Sequence, residues 1–162
     1  MIAHTRQTKI DEIIEMTYPR LISIYGKEGT KGLLSLSFGG LGIKIIYKEN
    51  PINLKISTIT KLKDGYICMG EYDQNMILEF TDERVATGYA QAKIDGDKLE
   101  KMASNKVRMS GKSYLLAIND LFTKKTWKYL AYIGEPSATG GKEILSKEIV
   151  LESAKLKSVF NK

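Results

Sequence analysis

The residue types on which most enzymes depend are scarce in this chain. His4 is the sole histidine and Cys68 the sole cysteine, so a Ser-His-Asp or Cys-His arrangement would have to recruit His4 from a segment that we predict to be irregular. Cys68 lies in a predicted strand, where a thiol serves as a small core residue. One cysteine and one histidine are also too few for a zinc site. We therefore predict no enzymatic activity, no cofactor and no metal ion.

Two glycine-containing stretches resemble phosphate-binding motifs only in part. Gly111-Lys112-Ser113 has the end of a P-loop, but the position of the first glycine is Lys106, and a strand rather than a helix is predicted to follow. Gly40 and Gly42 begin a dinucleotide fingerprint in which Ile45 replaces the third glycine. We interpret both stretches as turns. No general acid or base is assigned, because the neighbouring carboxylates fall beside predicted turns: Glu71 and Asp73, Asp82 and Glu83, Asp95 and Asp97.

The segment with most chemical potential is basic and aromatic, and it contains Lys124, Lys125, Trp127, Lys128 and Tyr129. Such a segment can place cations on phosphates and rings on bases, which makes the lysines and Trp127 candidate nucleic-acid-binding residues. In a strand, however, Trp127 and Tyr129 share one face and Lys128 points away, so we favour an aromatic core side and a cationic outer side. The nucleic-acid hypothesis gains support if further cations share one surface: Lys44, Lys48, Lys55, Lys106, Arg108 and Lys112.

The elements that must position these residues begin with a predicted helix from Thr8 to about Thr17, in which Thr8 is the N-cap. From Leu33 the apolar period changes to two, and strands separated by turn residues follow. Asp64-Gly65 is a strong hairpin signal, and Asp73 to Asn75 is predicted to be another turn. The expected strands include Leu34 to Phe38, Ile43 to Tyr47, Ile52 to Ile56, Tyr66 to Tyr72, Met76 to Phe80, Tyr114 to Ile118 and Thr126 to Ile133.

Three later segments carry separate predictions. Arg84 to Ile94 alternates small and larger residues, which predicts a long strand whose small-residue face lies close to a neighbouring element. Asp97 is expected to cap a short helix, Lys98 to Ala103. The final segment, 143–160, fits either a helix or a strand, and we favour a helix with Ser146 or Gly141 near its start.

These patterns predict an α+β, β-rich fold: an antiparallel sheet, sandwich or partly closed barrel with an N-terminal helix and a C-terminal helix. With 162 residues, 43% of them apolar and 27% charged, the chain has the size and composition of one globular domain, residues 1–162. We find no export signal or apolar membrane span, and one cysteine cannot form an internal disulfide. We therefore expect the cytoplasm, or a particle assembled there, rather than secretion or a membrane.

The net charge of +6 permits attraction to nucleic acid but does not require it, because 19 acids are mixed with 25 bases. Three functions remain open. The first is a non-enzymatic structural or interaction protein, a subunit of a homo- or hetero-oligomer such as a phage or virus particle (virion). The second is a nucleic-acid-binding module that uses a basic, aromatic sheet face. The third is a barrel that holds a small apolar ligand.

Overall fold

The computed structural model confirms the predicted fold class. It describes residues 10–37, 42–48, 52–92, 97–132 and 144–160. These residues form an α+β fold with four helices and a seven-stranded antiparallel sheet. In the sheet, β4 and β6 are central neighbours. Strands β1, β2 and β3 pair with β4, and β5 and β7 pair with β6.

The helices and strands have the following bounds. The helices are α1 at 10–16, α2 at Pro19–Ser37, α3 at Glu83–Gln91 and α4 at Lys147–Phe160. The strands are β1 at Ile43–Lys48, β2 at Ile52–Ile56, β3 at Thr60–Leu62, β4 at Gly65–Phe80, β5 at Asp97–Lys101, β6 at Lys106–Asn119 and β7 at Lys128–Tyr132. Helix α2 is kinked at Gly26, whose φ of 71° lies in the left-handed region that favours glycine.

The chain divides into two compact units. Unit 1 comprises Met1–Leu34, Lys55–Glu71 and Tyr114–Lys162, and unit 2 comprises Ser35–Leu54 and Tyr72–Ser113. The chain passes from one unit to the other inside α2, β2, β4 and β6 rather than in a loop. A single domain therefore stays a prediction.

The core of unit 1 lies between its helices and one side of β3, β4, β6 and β7. The buried side chains include Tyr18 after α1, Ile67 and Met69 on β4, and Leu116 and Ile118 on β6. Helix α4 adds Ile149 and Leu156 and contacts β3. At the start of α4, Ser146 Oγ accepts a hydrogen bond from the amide of Ile149, as an N-cap side chain does.

The core of unit 2 lies between α3 and one side of β1, β4, β5 and β6. Met76, Leu78 and Phe80 of β4 contact Val107 of β6 and Ala86 of α3. Phe80 also contacts Tyr89 of α3, with ring centroids 5.1 Å apart. Helix α3 begins at Asp82, whose carboxylate accepts a hydrogen bond from the amide of Arg84 and has a lowered pKa for that reason.

The buried positions of β4 change parity along the strand. Odd-numbered residues are buried from Ile67 to Glu71, whereas even-numbered residues are buried from Met76 to Phe80. The four residues between Glu71 and Met76 are half-buried. The predicted turn at Asp73 to Asn75 is therefore wrong: the pattern changes there because the strand leaves one core and enters the other.

Several other sequence predictions are confirmed. Residues 10–16 are helical, with Ile10 and Ile14 buried, although the predicted cap Thr8 lies outside the described residues. Asp64 lies in the turn between β3 and β4. Segment 147–160 is helical, as we favoured. Within the described ranges, no helix is both long enough and apolar enough to cross a membrane.

The predictions for three segments are wrong. The expected strand from Arg84 to Ile94 is instead helix α3 over Glu83–Gln91, because Asp82 caps it and small residues four apart share one face of a helix. The expected helix from Lys98 to Ala103 is replaced by strand β5. Leu34 belongs to α2 rather than to a strand, since that helix continues to Ser37; Phe38 lies outside the described residues.

The expected turn at Gly111-Lys112-Ser113 is also wrong. All three residues lie inside β6, a strand of 14 residues. A loop that wraps a phosphate requires successive backbone amides to converge, which a strand does not allow. The conclusion that this stretch is no P-loop is therefore supported by its geometry.

Candidate functional site

The aromatic residues of the predicted basic strand lie on an exposed surface. Trp127 keeps 36% and Tyr129 keeps 38% of their possible exposure, whereas Leu130 and Tyr132 contact the core of unit 1. The alternating pattern of β7 puts Tyr129 on the exposed side of the strand, whereas Trp127 directly precedes the strand, so the shared face of these two residues stays a prediction. The prediction that the Tyr129 side faces the core is wrong, because the alternate residues of β7 already fill that position.

Lys128 does not join this surface. It has the parity of Leu130 and Tyr132, and its ammonium group donates a hydrogen bond to the backbone carbonyl of Glu15 in α1. Among the four candidate residues, the structure therefore separates Lys128 from Trp127.

The neighbouring strands extend the exposed surface across the sheet of unit 1. Tyr129 is opposite Ala117 on β6, and Leu115 is opposite Ala131. On the far side of β6, Gly65 of β4 lies so close to Asn119 that a Cβ there would be 2.9 Å from its carbonyl carbon. Because Ile67 and Met69 of β4 and Leu116 and Ile118 of β6 fill the core of unit 1, Tyr66 and Cys68 share the other side of the sheet with Ala117 and Asn119.

These residues form an aromatic face with a shallow centre. Tyr66 is 46% and Leu115 is 37% exposed, and the side chains between the rings are small. Since neighbouring strands are about 4.8 Å apart, β4 with Tyr66 and β7 with Tyr129, which are two strands apart, are separated by about 10 Å. We call this surface the aromatic face; it comprises Tyr66, Cys68, Leu115, Ala117, Trp127, Tyr129 and Ala131.

A basic loop adjoins the aromatic face where β6 ends. Lys124 and Lys125 are exposed and have left-handed φ angles of 51° and 59°. This conformation costs a residue other than glycine about 1 to 2 kcal/mol. Asn119 of β6 donates a hydrogen bond to the carbonyl of Lys125 at 3.1 Å, which fixes the loop to the edge of the face. Strained residues of this kind cluster at binding sites, which makes the two lysines functional candidates.

A buried hydrogen-bond network holds the basic loop in place. Tyr18 is fully buried, and its hydroxyl donates to the Asp120 carboxylate at 2.7 Å. The second oxygen of Asp120 accepts from the amide of Thr123 at 3.0 Å. The Thr123 hydroxyl accepts from the amide of Asp120 and donates to its carbonyl. Burial and the Asp120 carboxylate both raise the pKa of Tyr18, so its hydroxyl stays a donor at neutral pH.

The tip of the loop adds two exposed apolar side chains. Leu121 is 65% and Phe122 is 56% exposed. The Arg20 guanidinium lies over the Phe122 ring, 4.9 Å from its centroid, which is a cation–π arrangement. The loop therefore presents a ring and two ammonium groups to solvent, and the Arg20 guanidinium of α2 lies beside the ring.

The site offers little for covalent chemistry. Burial raises the pKa of the half-buried Cys68 thiol, which favours the less nucleophilic protonated form. Within the described ranges no three histidine, cysteine or acidic residues are grouped as a metal site requires. The geometry suits non-covalent contact with flat groups and anions.

Most of the other cations named from the sequence belong to a different unit from the aromatic face. Five belong to unit 2: Lys44, Lys48, Lys106, Arg108 and Lys112. Lys55 is 4.0 Å from the buried carboxylate of Glu71, and the side chain of Lys48 lies outside the described set. Sequence reasoning also missed Tyr66 and Leu115 as site residues. Both occupy exposed positions in the alternating pattern of predicted strands, so the sequence could mark them as exposed. It could not show that their strands are neighbours in the sheet.

The comparisons do not identify the chain with a known group: no protein-family model, no curated protein and no solved structure matches it. Its functional interpretation therefore rests on the aromatic face and the basic loop.

Proposed function

We propose that the protein is a non-enzymatic binding protein whose aromatic face and basic loop bind single-stranded nucleic acid. The observation that carries this proposal is the exposure of Tyr66 and Tyr129 on one sheet face, with exposed Trp127 directly before β7 and close in the chain to Lys124 and Lys125. Sheet faces with exposed rings stack unpaired bases, and nearby cations neutralise phosphates.

The ligand is single-stranded because stacking on a ring requires a base that has left its duplex neighbours. The small centre of the face, formed by Cys68, Ala117 and Ala131, leaves room for a planar group between the rings. A spacing of about 10 Å between β4 with Tyr66 and β7 with Tyr129 suits two or three stacked bases. The net charge of +6 favours approach of a polyanion.

The test uses the fluorescence of Trp127, which is the sole tryptophan in the sequence. An oligothymidylate of about 12 nucleotides should quench this fluorescence, because the indole stacks on a base. A matched abasic oligomer, with the same phosphates and no bases, should quench it far less. Tyr129→Ala should weaken binding of the oligothymidylate about 5- to 150-fold, from about 1 to 3 kcal/mol per stacked base.

Tyr129→Phe keeps the ring and should bind like the wild type. Tyr25→Ala is the second control, since Tyr25 is 46% exposed on α2. Equal binding of the base-containing and abasic oligomers would contradict the proposal, as would an affinity that is independent of salt concentration.

A second candidate function is assembly, and strand β2 favours it. All five of its residues are exposed, and Ile52, Leu54 and Ile56 keep 46%, 59% and 68% of their possible exposure. An exposed apolar strand at the edge of a sheet is a template for pairing with another chain. We propose a second copy of this chain as the partner, in a homo-oligomer or a larger particle such as a virion.

Light scattering tests the assembly proposal. A defined multimer that becomes a monomer in Ile56→Lys, but not in the control Val85→Lys on α3, would support it. A monomeric wild type at high protein concentration would refute it. Val85 is a matched control because it is 57% exposed and apolar.

The remaining predictions receive less support. Among the described residues, an apolar recess of about 230 Å³ is lined by Leu145, Lys147, Val150 and Leu151. This is smaller than the roughly 300 to 1,000 Å³ of most ligand pockets, so the apolar-ligand barrel stays a prediction. We also propose an intracellular location, with which the free Cys68 thiol agrees.

A further inference from the structure

The sheet of unit 2 has a charged face opposite its core. Strand pairing places Lys44 opposite Glu79, Arg108 opposite Glu100 and Lys98 opposite Ser110. These residues alternate with the core residues of the same strands, so they point away from α3. We call this surface the charged face; it comprises Lys44, Asp73, Glu79, Lys98, Glu100, Lys106, Arg108 and Lys112.

The charges on this face are arranged as ion pairs with a cationic excess. Lys112 is 2.5 Å from Asp73, and Lys106 is 3.8 Å from Glu79. Arg108 is 3.9 Å from Glu100. The face carries five cations and three acids, so two positive charges are left over.

Lys44 and Lys98 account for this excess. Both are exposed, and neither forms an ion pair within the described ranges. They belong to β1 and β5, the two strands that flank β4 and β6 in unit 2. Tyr47 of β1 is 47% exposed and opposite Ile77, which adds an aromatic ring to the same side. The face therefore has cations on both flanks and a mixed-charge centre.

We propose that the charged face is a second nucleic-acid contact, which binds the sugar–phosphate backbone of a single strand. This inference rests on the proposed function of the aromatic face and adds to it a contact of different chemistry. Charge complementarity selects the ligand: a row of phosphates matches the cations on both flanks. In the centre, the acids Glu79, Glu100 and Asp73 pair with Lys106, Arg108 and Lys112.

The test separates phosphate contacts from base contacts. The double variant Lys44→Gln/Lys98→Gln should bind the abasic oligomer with a shallower dependence on salt. Each lost phosphate contact lowers the slope of log K against log salt by about 0.7, so the expected reduction is about 1.4. Lys27→Gln/Lys147→Gln, which removes two exposed lysines of unit 1, is the control with the same net charge and should keep the wild-type slope.

The outcomes for the two faces are distinguishable. If Lys44→Gln/Lys98→Gln has the slope of its control while the oligothymidylate still quenches Trp127, the charged face is not a contact and the aromatic face stands. If Trp127 is not quenched but the slope falls by the expected amount, the aromatic face fails and the phosphate contact stands. A wild type that binds neither oligomer at low salt overturns both proposals. Circular dichroism of each variant checks that the fold is retained.

Discussion

The hydrogen bond between Tyr18 and Asp120 provides the sharpest test of how the basic loop is held. Tyr18→Phe removes one oxygen from a fully buried site and leaves the ring in place. The carboxylate keeps its bond from the Thr123 amide on one oxygen but loses the Tyr18 hydroxyl on the other. Asp120 is only 7% exposed, so solvent does not replace the lost donor fully.

The size of the effect follows from the charge of the acceptor and from its burial. A hydrogen bond to a charged group contributes about 1.5 to 3 kcal/mol, and a buried acceptor left without its donor moves the value towards the upper part of that range. We therefore expect Tyr18→Phe to lower the free energy of unfolding by about 2 to 3 kcal/mol. For a chain of this length, the melting temperature should fall by about 4 to 12 °C.

The assay is equilibrium unfolding in urea, followed by circular dichroism. Tyr25→Phe is the matched control, since this tyrosine is 46% exposed on α2 and should change stability by less than about 0.5 kcal/mol. A double-mutant cycle with Asp120→Ala isolates the interaction between the two side chains. Equal stabilities of Tyr18→Phe and Tyr25→Phe would refute the reasoning, because the buried bond would then contribute nothing.

The pH dependence gives this prediction a second readout. The pKa of Tyr18 is raised by burial and by Asp120. A raised pKa in the folded state adds stability that is complete below the unfolded value of about 10 and is lost as the pH rises through the folded value. The difference in stability between wild type and Tyr18→Phe should therefore narrow above about pH 10. If the difference in stability widens above that pH, the direction that we assign to the pKa shift of Tyr18 is wrong.

Three further predictions concern single positions. Gly65→Ala should severely destabilise unit 1, because the added Cβ would be 2.8 Å from the Asp120 Cα. Thermal unfolding checks this prediction, with Gly88→Ala as the control, because a Cβ at Gly88 meets nothing within 4 Å. Lys125→Gly should raise the free energy of unfolding by about 1 kcal/mol, because glycine adopts a left-handed φ without strain. The same variant should weaken oligonucleotide binding. If it is no more stable than the wild type in urea, the backbone at Lys125 is not strained. Burial raises the pKa of Asp97, so the stability that this shift contributes is present below about pH 4 and is lost as the pH rises. Asp97→Asn should remove this loss of stability. Identical stability profiles of the variant and the wild type between pH 3 and about 8 would contradict the prediction.

The sequence predicted the elements whose apolar spacing has one clear period. Ile10, Ile14 and the C-terminal segment have helical spacing, and Met76 to Phe80 alternate, so these elements were found. Helix α3 was missed because its small residues, spaced two and four apart over nine positions, fit both the period of a strand and that of a helix. The signal that could have decided the period was Asp82, which caps the helix directly before an acidic first turn.

The candidate site was harder to predict because it depends on which strands are neighbours. Trp127 and Tyr129 were identified from composition, but their parity alone did not show which side of β7 faces the core. That side is fixed by Leu116 and Ile118 of β6, the partner strand, through its pairing with β7. Tyr66 joins the site only because β4 adjoins β6. Contacts between residues some 60 positions apart in the chain leave no mark in local periodicity.

The four places where the chain passes between the two units have a consequence for its modularity. Each lies inside a helix or strand, so every cut that separates the units breaks hydrogen-bonded elements, β4 and β6 among them. Neither unit is one continuous segment of chain, so neither can be expressed alone by truncation. Deletion of either unit would therefore cut β4 and β6 and remove strand pairings on which the other unit depends.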